Sequence, residues 1–235
     1  MAEDVFIHGF SRAPEPAPRD GRFRAGDPAV TMAAMRASPP PTNDARAGQR
    51  RAMRDARRAL PAATRIAAAA ALAERLLALP FAPRSGHVAG YWAMDGEIPL
   101  NVWQTRLPRE LRYCLPVLHA ESRTLRFAPW SPGEPLVANR YGIPEPDVAP
   151  GELLEPAQLD LVAVPLVAFD ARGHRLGMGG GWYDRSFAFR GARPAPPQLV
   201  GAGFSLQQAE ALSPEPWDIP LDAVCTESDT FLVTA

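Results

Sequence analysis

Cysteine is scarce in this chain and lysine is absent, so its positive charge is carried by arginine. Cys114 and Cys225 lie far apart, each within an apolar run, which suits two buried reduced thiols better than a disulfide framework. No C-x-x-C pair and no Cys/His cluster offers a zinc site. The histidines, His8, His87, His119 and His174, form no pair at ligand spacing and are read as non-catalytic. No apolar run is long enough to span a bilayer. The first residues carry Glu3 and Asp4 without the apolar core of a secretory signal. The expectation is a cytoplasmic protein with no membrane partner. A net charge of -1 leaves no global basic field, so nucleic acid is not expected as a partner. A G-x-S-x-G nucleophile motif is lacking, as is any internal repeat.

The chain has 235 residues, 46% hydrophobic and 22% charged, enough for one sizeable core. Residues 1–44 are rich in Pro, Arg, Asp and Ala without a sustained period, and read as a disordered or loosely attached tail. Within it, Val5 to Phe10 is a candidate partner-binding motif. Residues 45–235 read as a single domain. Ala45 to Leu60 is a basic helix with Arg50, Arg54 and Arg58 on one face. An alanine-rich helix over 62–79 points Leu72, Leu76 and Leu79 at the core and stops at Pro80 and Pro83. Strands are expected at 87–92, 112–118, 124–130, 161–169, 199–204, 223–226 and 230–233, and further helices at 101–106, 182–189 and 207–212. Residues 132–156 form a proline-rich excursion. This alternation indicates an α/β fold with a mostly parallel sheet.

One stretch concentrates the chemistry. Leu161 to Phe169 is almost unbroken in its hydrophobicity, as in a strand covered on both faces. A turn and a loop with Gly177, Gly179, Gly180 and Gly181 follow, and then Trp182-Tyr-Asp-Arg185, read as the first turn of a helix. Glycines admit positive φ and let a ligand approach the backbone, whose N–H groups can then cradle an anion. Arg175 and Arg185 flank the loop and could pair with phosphate oxygens, and Asp184 could hold Mg²⁺ beside them. A tight strand-to-helix turn with no ligand is the plainer reading. The loop is neither a P-loop, for want of Gly-Lys-Ser/Thr, nor a G-x-G-x-x-G fingerprint, since Trp182 stands at the last glycine.

The run Arg175-Leu-Gly-Met-Gly-Gly-Gly-Trp-Tyr-Asp-Arg185 resembles the signature of the 5-formyltetrahydrofolate cyclo-ligases, also called 5,10-methenyltetrahydrofolate synthetases. Three further segments resemble that family in order: the basic helix, Tyr141-Gly-Ile-Pro-Glu-Pro146, and Ser213-Pro-Glu-Pro-Trp-Asp-Ile-Pro-Leu-Asp222. The resemblance implies an open three-layer α/β/α sandwich. It also implies an ATP-dependent enzyme that cyclises 5-formyltetrahydrofolate to 5,10-methenyltetrahydrofolate through a phosphorylated formyl group, releasing ADP and phosphate. By this resemblance Arg50, Arg54, Arg175, Gly177, Gly179, Gly180, Gly181, Trp182 and Tyr183 bind ATP. Trp92, Glu97 and Met178 bind the folate. Asp184 and Asp218 hold Mg²⁺, and Tyr183 and Arg175 act in catalysis. Glu145 is expected to be structural. Trp217 stands where many members carry histidine, and Met178 and Gly180 leave the loop uncharged. The expected partners are small molecules and the expected state a monomer. A non-catalytic nucleotide- or folate-binding protein of the same fold is the alternative, as is an ATP-dependent enzyme acting on another amide-like substrate.

Overall fold

The unbroken apolar run that begins at Leu161 lies at the centre of a sheet buried on both faces. The computed structural model describes residues 43–119 and 121–233. The Val5–Phe10 motif and nearly all of the expected tail lie outside these residues. In chain order the elements are α1 (Asn43–Arg58), α2 (Ala62–Leu77), β1 (Gly86–Ala89), α3 (Asn101–Arg106), β2 (Leu111–His119) and β3 (Thr124–Pro129). They continue with β4 (Leu136–Ala138), β5 (Pro144–Pro146), β6 (Leu161–Pro165), β7 (Ala168–Phe169), β8 (Arg175–Leu176) and α4 (Trp182–Ser186). The last strands are β9 (Gln198–Ala202), β10 (Ala223–Cys225) and β11 (Thr230–Leu232).

Seven strands form the main sheet in the order β11-β10-β9-β6-β1-β2-β3. The inner strands β2, β1, β6, β9 and β10 pair in parallel, and β3 and β11 close the edges antiparallel. This is the α/β, mostly parallel architecture expected. Side chains alternate across it. Leu161 and Ala163 join Leu72, Leu76 and Trp103 of α2 and α3 on one face. Val162 and Val164 join Phe127, Phe187 and Leu199 on the other. Central parallel strands covered twice need apolar residues at every position, which is why β6 reads as a continuous run. Helix α2 forms because alanine has the highest helix propensity, and its Ala68, Leu72 and Leu76 make a stripe buried against the sheet.

The strand expected over 87–92 is Gly86–Ala89, and three elements nearer the glycine loop and its hairpin differ more. The strand expected over 161–169 ends at Pro165, and Ala168–Phe169 leaves the sheet to pair with β8 as a hairpin. Beyond Pro165 the carbonyl of Leu166 accepts side-chain bonds from Arg57 (3.2 Å) and Gln207 (2.8 Å) instead of a ladder partner. The helix expected over 207–212 is a single 3-10 turn at Ser205–Gln207. The N–H groups of Ala209 and Leu212 go to Phe169 O and the Asp170 carboxylate, so no helical ladder remains for them. The helix expected over 182–189 is α-helical only to Ser186 and continues as a 3-10 turn, Ala188–Gly191. The proline-rich excursion contains the β4–β5 hairpin.

Asp170 fastens the hairpin that carries the glycine loop. It is fully buried, with Oδ1 accepting the N–H groups of Arg172 (3.0 Å) and His174 (3.1 Å). Its Oδ2 accepts Leu212 N–H (3.0 Å) and lies 3.0 Å from His174 Nδ1. Burial alone would raise its pKa, but the donors on Leu212 and His174 outweigh burial and hold the carboxyl below the usual range.

Candidate functional site

The strand order fixes where a ligand can enter. From β1 the chain runs outward through β2 and β3, then returns to β6 on the other side of β1. Loops leaving the carboxyl ends of β1 and β6 therefore diverge, and a crevice opens at this reversal. A cleft of about 470 Å³ lies there, lined by residues of both loops, the glycine loop, α1 and the turn Glu215–Asp218.

One end of the cleft gathers arginines and carboxylates. Arg50 of α1 donates from Nε to Gly177 O (2.9 Å). Arg46, one helical turn earlier, pairs through Nη1 with Glu215 (2.8 Å) and lies 3.9 Å from Asp218. Burial and the neighbouring Arg46 charge pull the Arg50 pKa down, and Asp218 only offsets this. Two guanidiniums this close, partly removed from water, favour an anion between them. Arg54, expected at the phosphates, instead donates from Nε to Asp95 Oδ2 (2.6 Å) and does not line the cleft. Sequence reasoning missed Arg46, although it continues the Arg50–Arg54–Arg58 row one turn back. Helix α1 starts two residues before the expected boundary, which brings Arg46 well inside it.

The loop residues Gly177 to Gly181 all line the cleft. Gly179 (φ 92°) and Gly181 (φ 64°) adopt the left-handed backbone that favours glycine, and Gly181 caps the five-residue α4. Arg185, expected to face phosphate, braces the loop from outside by donating to Gly180 O (2.7 Å) and Arg123 O (2.9 Å). Arg175 is largely buried and donates to both Ile219 O and the Asp184 carboxylate. Asp184 Oδ1 also accepts the N–H (3.3 Å) of Ile219, the residue after Asp218, so Asp184 and Asp218, 34 positions apart in the chain, both line the cleft.

The other end is more apolar and holds a carboxylate. Glu97 accepts Met94 N–H at Oε2 (3.0 Å) and has Oε1 3.7 Å from Arg57 Nη2. Burial raises its pKa, opposed by the Met94 bond and the charges of Arg57 and Arg54. Tyr183 faces the same space. Burial raises its phenol far above the ordinary value, the charge of Glu97 adds to this, and Arg175 opposes it. Tyr183 is therefore neutral at physiological pH and keeps a proton to donate. Trp92 stands edge-on to Trp130 (5.9 Å), and Met178 is half exposed on the loop; both line the cleft. Trp182 meets Tyr141 edge-on at the rim (6.4 Å). Glu145 accepts Leu118 N–H (2.9 Å) and Asn139 Nδ2 (2.7 Å), a role in holding the β4–β5 hairpin. Neither His119 nor His174 lines the cleft.

Below Glu97 lies a residue the sequence did not single out. Arg57 is fully buried and donates to Asp95 Oδ2 (2.9 Å), Asp95 O (2.9 Å) and Leu166 O (3.2 Å). It ties the loop after β1 to the loop after β6, the two lips of the crevice.

The fold and cleft define an α/β enzyme with its candidate site at the carboxyl edge of a parallel sheet. Residues 42–227 match the model of the 5-formyltetrahydrofolate cyclo-ligase family. The chain is 39% identical over 161 residues to the 5-formyltetrahydrofolate cyclo-ligase of Escherichia coli (strain K12), covering 68% of this chain and 87% of that protein. It is 39% identical over 137 residues to the protein of the same name from Haemophilus influenzae, covering 57% and 72%. Its fold matches the NMR structure of Aquifex aeolicus 5,10-methenyltetrahydrofolate synthetase with a TM-score of 0.68 at 30% identity, over 81% of this chain and 93% of that one. The chain belongs to the 5-formyltetrahydrofolate cyclo-ligase family, a family of ligases.

Proposed function

We propose that this enzyme uses ATP to close 5-formyltetrahydrofolate to 5,10-methenyltetrahydrofolate. The observation that carries the reading is one cleft that joins the glycine loop and the arginines Arg46 and Arg50 to the largely buried carboxylate of Glu97, with Tyr183 close enough to feel both Glu97 and Arg175. An amide-like formyl oxygen is a poor leaving group. It attacks the γ-phosphorus, the bond to ADP breaks, and the oxygen becomes part of a phosphate ester. N10 then attacks the activated carbon, loses its proton, and phosphate departs with the former formyl oxygen. The protein supplies position and charge rather than a nucleophile.

Arg46 and Arg50 hold phosphate oxygens together with the N–H groups of the glycine loop. Arg175 orients Asp184 through their ion pair. Tyr183 donates a hydrogen bond to the formyl-derived oxygen. Glu97 accepts two N–H bonds from the aminopyrimidinone edge of the pterin, and Trp92 and Met178 cover the ring. Among the described residues no group of three or more His, Cys, Asp or Glu gathers as a metal site. Mg²⁺ needs fewer, because substrate phosphates and water complete its octahedron. Asp184 and Asp218, facing one cleft beside the arginines, fit that mode. When bound there the ion neutralises phosphate charge.

Mixing the protein with 5-formyltetrahydrofolate and Mg-ATP is expected to give the methenyltetrahydrofolate absorbance, and omitting ATP to abolish it. Binding of both ligands without turnover would replace this reading with a binding protein. A pH profile tests the pterin assignment. Glu97 accepts two N–H bonds only when ionised, and its pKa is raised. The KM for the folate is therefore expected to rise on acidification, starting at a higher pH than an ordinary glutamate would set. In Glu97→Gln the KM should be high throughout and this acidic limb flat. An unchanged limb would remove Glu97 from the pterin.

A further inference from the structure

The turn Glu215-Pro-Trp-Asp218 is closed at both ends. Asp218 N–H donates to Glu215 O (3.0 Å), and Glu215 N–H donates to Asp218 Oδ2 (2.9 Å). Proline at 216 restricts the backbone between them, and Arg46 pins the turn to α1 through Glu215 (2.8 Å). This braced turn presents Trp217 to the cleft with 67% of its surface exposed, more than any other large aromatic side chain among the described residues. The other exposed cleft aromatics have ring partners, Trp92 with Trp130 and Tyr141 with Trp182. Among the described residues Trp217 meets no ring, no cation and no hydrogen-bond acceptor.

Its position follows from the direction of phosphoryl transfer. The γ-phosphate must face its acceptor at the Glu97 and Tyr183 end. The base of the nucleotide then lies beyond the phosphates on the opposite side, past Arg46 and Arg50. Trp217 belongs to the turn that Arg46 holds through Glu215, beside Asp218, which puts it at the Arg46 end of the cleft. A rigid indole with an open face loses little freedom when a flat base covers it. We propose that Trp217 is the platform on which the purine of the nucleoside triphosphate stacks. The inference rests on the nucleotide reading of the cleft. It adds that affinity for the triphosphate is divided between the arginine and glycine-loop site that reads phosphate and a single aromatic face that reads the base.

Titration calorimetry with Mg-ATP and with Mg-tripolyphosphate, on the wild type, Trp217→Ala and Trp217→Phe, separates the two parts. Loss of one base–aromatic stack corresponds to about a tenfold weakening. Trp217→Ala is therefore expected to bind ATP about tenfold more weakly and tripolyphosphate within about twofold of wild type, whereas Trp217→Phe keeps ATP within about threefold. Unchanged ATP affinity in Trp217→Ala overturns the proposal. So does equal weakening of both ligands, which would show that the turn matters and the ring does not. If the wild type binds tripolyphosphate as tightly as ATP, the phosphate site stands and the base platform falls. If the wild type binds neither, the nucleotide reading itself fails.

Discussion

Asp95→Ala is expected to lower stability by about 3–5 kcal/mol, the usual cost of leaving a buried charge without its partner. Asp95 accepts Arg54 (2.6 Å) and Arg57 (2.9 Å) at one carboxylate oxygen and pairs with Arg58 through the other. Arg57 is the member that cannot turn to water, because its side chain is 1% exposed. Burial lowers its pKa more than any other influence and Glu97 opposes this, so removing a carboxylate shifts the balance further against the charged form. Asp95 also sits at φ 53°, where Asp is tolerated better than Ala. Arg57→Met is expected to cost less, about 1–3 kcal/mol, because an apolar chain replaces the buried guanidinium while Asp95 keeps two arginines. Urea denaturation of both variants measures the contrast. Equal costs would mean that the charge of Arg57 is solvated through a route the structure does not contain.

Arg50→Ala is expected to lower kcat/KM for ATP by about 10²–10³, as for loss of one preorganised group that stabilises transition-state charge. Arg54→Ala supplies the comparison. The Arg54 pair with Asp95 is part-exposed, so its loss costs about 0.5–1 kcal/mol of stability and leaves kcat/KM within about threefold of wild type. Steady-state kinetics on the two variants decides whether Arg46 and Arg50, or Arg50 and Arg54, face the phosphates. A large defect in Arg54→Ala as well as in Arg50→Ala would restore the pairing expected from sequence.

The difference between those pairs shows what a sequence can and cannot say about this site. The row Arg46, Arg50, Arg54 and Arg58 is visible from spacing alone, since residues four apart share a helix face. Which members of that row reach a ligand depends on where the helix axis passes the crevice. Asp95 meets the row towards its carboxyl end and the turn 213–218 meets it towards its amino end, so the helix is read by two loops that lie far away in sequence. Arg57 was illegible for a related reason. An arginine in an arginine-rich helix looks solvated until the loops after β1 and β6 are known to close over it.

Local physics determined a great deal here without tertiary information. The periodicity placed most strands and helices, the double burial of β6 showed in its composition, and the glycine loop with its flanking Arg175 and Asp184 announced the site. These features are legible because each depends on residues near one another in the chain. Tertiary structure decided the rest: that β6 ends at Pro165, that Arg175 is spent on Asp184 and Ile219, and that Asp184 and Asp218 line one cleft. It also decided that Trp217 stands with an open face. Most of these are settled by hydrogen bonds between segments tens of residues apart, such as Arg57 with Leu166, Arg175 with Ile219 and Ile219 with Asp184, and only the sheet order, which sets the crevice between β1 and β6, brings those segments together.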